Sequence, residues 1–191
     1  MPAPIIKTAT VEELKNLFGW DGSLLQHKNI SILGEKFLIS ILKAEGYDFD
    51  FTIAREEKGK PYFLYNNKVH FSVSDTKNYI AVAVHTTRIG VDIEYLRQGK
   101  QQLAQRFFHP AETDYLNKTS RADYDKAFTQ LWTIKEAYVK MTGTGIAGNF
   151  STLNLAPLRF ELNQSYTAYD ALITSSYDSQ TELFITCCAL Q

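Results

Sequence analysis

The chain has 191 residues, 45 % hydrophobic and 21 % charged, with 11 Tyr and 12 Phe, which is ample material for a core and excludes a disordered or long modular architecture. Its 20 basic and 21 acidic side chains leave a formal net charge of -1, so no global field recruits nucleic acid or an acidic membrane, and a charged partner must meet a local patch. No apolar run approaches the roughly 20 residues that span a bilayer, and Met1 to Thr10 lacks the charged-then-apolar layout of a secretion signal. Cys187 and Cys188, the only cysteines, are adjacent and point to opposite faces of a strand, so the expectation is a cytoplasmic protein with free thiols.

The first clear periodic element is Ile30 to Glu45, where Ile32, Leu33, Phe37, Ile39 and Leu42 predict a helix stopped near Gly46. Asp48 to Ile53 reads as a short strand. Glu56 to Pro61 reads as a charged loop in which Pro61 forces its predecessor into an extended conformation. Val69, Phe71 and Val73 alternate with His70, Ser72 and Ser74, Asp75 to Asn78 turns the chain, and Tyr79 to Val84 is a continuous apolar run; with Ile89 to Tyr95 these predict a three-strand meander. From Gln101 the period is helical. Leu103, Phe107 and Phe108 lead to Pro110, which opens a helix containing Tyr115 and Leu116, and Ala122 to Met141 is the longest helical stretch, ended by Gly143 and Gly145. Leu153 to Leu155, Arg159 to Leu162, Ala171 to Thr174 and Leu183 to Ala189 read as short strands. Helix-then-strands thus occurs twice, which predicts an α+β fold of two similar halves, residues 1–98 and 99–191, each a small antiparallel sheet flanked by helix.

Two constellations carry chemical potential. Ile89, Val91 and Ile93 share one strand face, which puts Asp92 and Glu94 together on the other, either solvating an edge strand or sharing a cation. Trp132, Glu136 and Lys140, spaced by four, share a helix face; a Glu–Lys pair at that spacing is ordinarily surface decoration worth about 0.3–0.5 kcal/mol. Taken together, Asp92, Glu94 and Glu136 make a hard, all-oxygen set suited to Mg²⁺, which takes further ligands from water and substrate phosphates, while Lys135 and Lys140 would offset phosphate charge. Gly143 to Gly148 spells G-x-G-x-x-G but follows a helix instead of a strand, so it is a helix stop. His27, His70, His85 and His109 lack zinc spacing, and His70, alternating with apolar strand residues, reads as structural.

Gly90-Val91-Asp92-Ile93-Glu94 followed by Trp132-Thr133-Ile134-Lys135-Glu136-Ala137-Tyr138-Val139-Lys140 resembles the paired signature of the 4′-phosphopantetheinyl transferases, (I/V)G(I/V)D and (F/W)(S/C/T)xKE(A/S)xxK. Lys58-Gly59-Lys60-Pro61, His70 to Ser74 and Arg106 to Glu112 are similar to that family's GKP, FN(I/L)SHS and RFFxxxE segments, so the resemblance covers about Gly59 to Gly145. The chain length resembles the surfactin-synthetase-activating type, which implies two α+β halves packed as an intramolecular pseudo-dimer and a monomeric protein. The resemblance also implies a Mg²⁺-dependent transferase. It would move phosphopantetheine from coenzyme A to a serine of an apo acyl or peptidyl carrier protein, release 3′,5′-ADP and serve fatty acid or secondary metabolite biosynthesis. It makes Asp92, Glu94 and Glu136 the metal ligands and Glu136 and Lys140 catalytic, and it puts Lys60, Pro61, Ser74, Thr76, Lys77 and Lys135 on coenzyme A.

Asp75 stands where the family has histidine after the serine. A carboxylate about 4 Å from a phosphate, at an effective dielectric near 20, opposes binding by up to about 4 kcal/mol, so either Asp75 turns away or Lys77 neutralises it and takes over the phosphate. Thr144 interrupts the family's GKG, and Lys28 and Lys36 are not assigned to its N-terminal basic positions. These departures leave a second reading open, a non-catalytic module that binds coenzyme A or a carrier protein. The enzymatic reading requires Asp92, Glu94 and Glu136 to converge beside a pocket able to hold a pyrophosphate.

Overall fold

Strand β1, Ile5–Thr10, ends on a residue that also starts helix α1, Val11–Phe18. The Thr10 hydroxyl accepts from Glu13 N at 3.1 Å and the Glu13 carboxylate accepts from Thr10 N at 2.7 Å, a reciprocal cap that satisfies two orphan donors. Neither element was expected, because two turns of helix are too few for a periodic signal to emerge. The computed structural model describes residues 3–20, 27–145, 150–156 and 161–191.

Helix α2, His27–Ala44, contains the expected periodic stretch. The strand expected at Asp48 to Ile53 does not form. Phe49 and Phe51 instead pack as rings against Phe63, at centroid distances of 5.0 and 6.0 Å, and Asp50 Oδ1 accepts from Thr52 N at 2.8 Å, so side chains satisfy that backbone locally. The strand lies further on, as β2, Ile53–Arg55, paired across the charged turn with β3, Pro61–Phe63. Strands β4, His70–Thr76, and β5, Tyr79–His85, form a hairpin whose register pairs Thr76 with Tyr79, so Asp75 and Thr76 belong to the strand and Lys77-Asn78 alone makes the turn.

The expected meander is overturned at β6, Ile89–Tyr95. One sheet has the order β1-β5-β4. Strand β6 instead pairs with β9, Leu183–Leu190, in a four-stranded sheet of order β6-β9-β8-β7, where β7 is Gln164–Ala168 and β8 is Ala171–Asp178. Toward β4 the bonds of β6 go to side chains: Val91 N donates to Ser72 Oγ at 3.1 Å and Ile93 N to Ser74 Oγ at 3.4 Å. Strand β6 therefore precedes residue 98 while its ladder belongs to the later sheet.

In chain order, β6 is followed by α3, Gln101–Phe107, α4, Pro110–Lys118, and α5, Tyr124–Thr142, before β7 begins. Leu153 to Leu155, expected as a strand, is irregular; Leu153 and Leu155 are buried there as anchors. Of the strand expected at Arg159 to Leu162, residues 159–160 lie outside the described residues, and Glu161 and Leu162 are not in a strand.

The fold is α+β, with helices against small antiparallel sheets. Helix α2 packs on β4 and β5 through Leu33, Leu38, Leu42, Ile80 and Val82, and α5 packs on β6 and β9 through Phe128, Ile134, Ala137 and Cys188. Between these layers Ala81 and Ala83 meet Ile89, Val91, Ile93 and Cys187, so the two sheets back onto each other. Each fully buried Leu or Ile contributes about 1.5–3 kcal/mol. Cys187 and Cys188 are free and face different layers, as strand alternation requires. Among the described residues no helix is long and apolar enough to cross a membrane.

Candidate active site

The site begins where β6 crosses α5. A Cβ on Gly90 would fall 1.9 Å from Ala137 O and 2.4 Å from Met141 N, so only glycine lets the strand lie directly on the helix backbone. By the period of two, Asp92 and Glu94 follow Gly90 on that face, toward the side of α5 that carries Glu136 and Lys140. Lys140 Nζ donates to Asp92 Oδ1 at 2.7 Å and to Ser74 Oγ at 2.8 Å, and Ser74 Oγ donates to the same Asp92 oxygen at 2.9 Å. The other Asp92 oxygen, Oδ2, is buried without a hydrogen-bond partner. An unpaired buried carboxylate oxygen is costly, which marks this atom for a ligand.

Glu94 is ion-paired with Arg97, whose guanidinium lies 4.8 Å from the centre of the Trp132 ring. Trp132 is 9 % exposed and packs on Phe107, Phe108, Phe128 and Phe150, so its part in the site is to seat Arg97. Burial pushes the Glu136 carboxyl up to about 7, and the negative charge of Asp92 pushes the same way against the ammonium of Lys140. Glu94 is also raised, first by burial, with Arg97 opposing. The three acids therefore share one field. They do not form a ready metal cage: among the described residues no three His, Cys, Asp or Glu side chains are grouped to hold one ion. Lys140 and Arg97 hold Asp92 and Glu94 instead.

A cavity of about 330 Å³ opens beside Glu136 and Lys140, lined also by Lys60 and Pro61. Lys60 is 8 % exposed, donates to Ile89 O at 2.9 Å and to Lys140 O at 2.5 Å, and is pushed down to about 8 by burial and then by the charge of Arg88. Ser74 sits behind the lining, on Lys140 and Asp92. Thr76 and Lys77, at the far end of the β4–β5 hairpin, do not line the cavity.

Lys135 is the clearest correction. Expected on coenzyme A, it is fully buried, ion-paired with Glu112 at 2.9 Å, and donates to the carbonyls of Phe150 and Leu153. Successive helix residues are turned by about 100°, so Lys135 and its neighbour Glu136 cannot both face the cavity. Asp75 lines the cavity and has not turned away, while Lys77 is outside it. Sequence reasoning missed the other cations there, Arg55 and Lys58 on the β2–β3 hairpin, and the acid Glu35 on α2. Nothing in a loop's charge run says which residues will face a distant helix. Lys36 is engaged elsewhere, over the rings of Phe18 and Trp20 at 5.8 and 5.4 Å. Gly143 caps α5 in the left-handed conformation, as a helix stop should, and residues 146–149 of the glycine-spaced segment lie outside the described residues.

The family model of the 4′-phosphopantetheinyl transferase superfamily matches residues 88–188. The chain is 32 % identical over 120 residues to the 4′-phosphopantetheinyl transferase gsp of Aneurinibacillus migulanus, a match covering 61 % of this chain and 49 % of that protein. It is 41 % identical over 98 residues to the 4′-phosphopantetheinyl transferase HetI of a Nostoc species, covering 48 % of this chain and 41 % of that one. To the 4′-phosphopantetheinyl transferase Sfp of Bacillus subtilis it is 28 % identical over 120 residues, covering 61 % and 53 %. The chain spans about half the length of the curated relatives it matches.

Proposed function

The chain belongs to the 4′-phosphopantetheinyl transferase superfamily, and from that premise we propose that it transfers 4′-phosphopantetheine from coenzyme A to a serine hydroxyl of an acyl or peptidyl carrier protein. The observation that carries this reading is the crossing of β6 and α5, which joins Lys140, Asp92 and Ser74 by hydrogen bonds beside the cavity that Glu136 lines. In the proposed reaction the serine oxygen forms a bond to the phosphorus that carries the pantetheine arm, and the bond from that phosphorus to the bridging oxygen breaks, releasing 3′,5′-ADP. Such a transfer asks for positioning and charge neutralisation more than covalent catalysis. Lys140 would stabilise charge on the phosphoryl oxygens, with Lys60, Arg55 and Lys58 supplying the cationic wall of the cavity. Glu136 lines the cavity and is the carboxylate placed to take the serine proton.

Mg²⁺ fits the chemistry of the donor set. Asp92 Oδ2 is the buried oxygen that lacks a partner, and Glu94 and Glu136 are the further carboxylates that would hold the ion. Held there, Mg²⁺ would supply positive charge to offset that of the pyrophosphate. We take the halves to be 1–98 and 99–191 with β6 shared between them, in a monomer. Two free buried thiols suit the reducing cytoplasm.

Incubation with coenzyme A, Mg²⁺ and apo carrier proteins is expected to add one phosphopantetheine mass to a carrier serine; no mass shift across a panel of acyl and peptidyl carriers overturns the reading. A second reading, a binding module without turnover, is favoured by Asp75 and Glu35, two carboxylates in a cavity meant for phosphates. Calorimetry that detects coenzyme A binding while the carriers stay unmodified would select it.

A further inference from the structure

A helix leaves its last carbonyls without intrahelical partners, and the end of α5 matters because Lys140 is on it. Those carbonyls are taken by cations that precede the helix in the chain, one on the β2–β3 hairpin and one just before β6. Lys60 Nζ donates to Lys140 O at 2.5 Å, Arg88 Nε donates to Met141 O at 3.1 Å, and Arg88 Nη2 donates to Thr142 O at 3.0 Å. The same Nη2 meets Glu56 Oε2 at 2.9 Å. Glu56 and Lys60 are joined in turn through the hairpin backbone, Glu56 N donating to Lys60 O at 2.8 Å. The fit is close: a Cβ on Gly143 would lie 2.7 Å from Arg88 Nη2, 2.8 Å from Glu56 Oε2 and 3.1 Å from Lys60 Cδ. Two cations at the negative end of a helix dipole are favourable there, and the rigid planar fork of arginine spreads its donors over Met141 O, Thr142 O and Glu56 Oε2 from two separate nitrogens, a geometry the single ammonium of a lysine does not reproduce.

We propose that Glu56, Arg88 and Lys60 form a latch that clamps the β2–β3 hairpin onto the last turn of α5 and fixes the reach of Lys140 to Asp92 and Ser74. Glu56 and Arg88 do not line the cavity, so they are positioning residues and act through Lys140. The inference rests on reading Lys140 as part of the transfer site. A displacement of about 1 Å in such a group costs on the order of a hundredfold in rate, and the last turn of α5 loses its carbonyl partners when the latch is removed.

The test compares wild type with Arg88→Met, Arg88→Lys and Glu56→Gln in the full chain, by carrier-modification kinetics and by amide hydrogen exchange at residues 140–143. Arg88→Met is expected to lower kcat by about tenfold or more, with KM for coenzyme A within about twofold, and to speed exchange of those four amides by about tenfold. Arg88→Lys should recover only part of kcat, and Glu56→Gln should cost about threefold. A raised KM at unchanged kcat would make Arg88 a direct contact and overturn the latch, as would unchanged exchange in Arg88→Met. Should Arg88→Met not fold, Glu56→Gln decides, and wild-type kcat and exchange in that variant overturn the proposal. If the wild-type chain modifies no carrier, the reading of the function fails, and the exchange measurement decides the latch by itself.

Discussion

Lys135 and Lys140 lie on the same helix and each faces a carboxylate, yet the two pairs are built for different ends. Lys135 and Glu112 are both 0 % exposed, and every strong donor and acceptor they have is used: Lys135 also holds the carbonyls of Phe150 and Leu153, while Glu112 accepts from Leu155 N and His109 N at 2.9 Å. That closed network ties residues 150–155 to the start of α4. Lys140 is 31 % exposed, lies against a cavity, and its partner Asp92 keeps one oxygen unpaired. A saturated buried pair serves specificity of structure, whereas an unsaturated one at a cavity wall is available for chemistry.

The sharpest way to break this comparison is at the open pair. Asp92→Ala is expected to lower transfer by about a thousandfold or more, equivalent to about 4 kcal/mol, while the protein stays folded because water reaches Lys140. Carrier mass shift and circular dichroism check the two halves of that statement, and near-normal transfer would remove Asp92 from the site. At the closed pair the expected loss is stability: Lys135→Met strands a buried carboxylate and should cost about 3–5 kcal/mol in urea denaturation. The double change Lys135→Met with Glu112→Leu should recover only part of it, because Leu155 N and His109 N then lose their acceptor, with KM for coenzyme A unaltered in both. A raised KM would return Lys135 to the cavity.

Glu136 sharpens the comparison through pH. Its carboxyl is raised from 4.5 to about 7 by burial and then by Asp92, so between those values the folded chain holds a proton that the unfolded chain has lost. Its contribution is full below pH 4.5 and disappears as pH rises through about 7, a fall of up to about 3 kcal/mol, which Glu136→Gln should flatten in denaturation midpoints. Mg²⁺ should raise the wild-type midpoint at pH 8 and leave that of Asp92→Asn unchanged. Ser74→Ala, which removes one hydroxyl between Lys140 and Asp92, is expected to have the smallest effect, about 1 kcal/mol in stability and a few-fold in kcat.

Alternation and periodicity are local properties, and the elements that depend on them were legible. Strands β4 and β5, helix α5, the shared face of Asp92 and Glu94, and the shared face of Glu136 and Lys140 follow from residue spacing. The pairing partner of β6 did not follow, because a strand of alternating Ile and Val suits any neighbour; it went to β9, since Gly90 requires α5 on one face and the serines of β4 already take Val91 N and Ile93 N. The resemblance made Lys140 catalytic and put Lys135 on coenzyme A, and only packing showed that Lys135 is enclosed with Glu112.

By itself, then, the amino-acid order determined which side chains share a strand or helix face, because the periods of 2 and 3.6 are set by the backbone. It determined the family as well, through the motifs around Asp92 and Glu136. The tertiary structure decided what those faces meet: Glu112 closing over Lys135, Lys140 and Ser74 on Asp92, and Arg55 and Lys58 at the cavity. Those contacts join residues far apart along the chain, and the energy that selects them comes from burying whole surfaces at once.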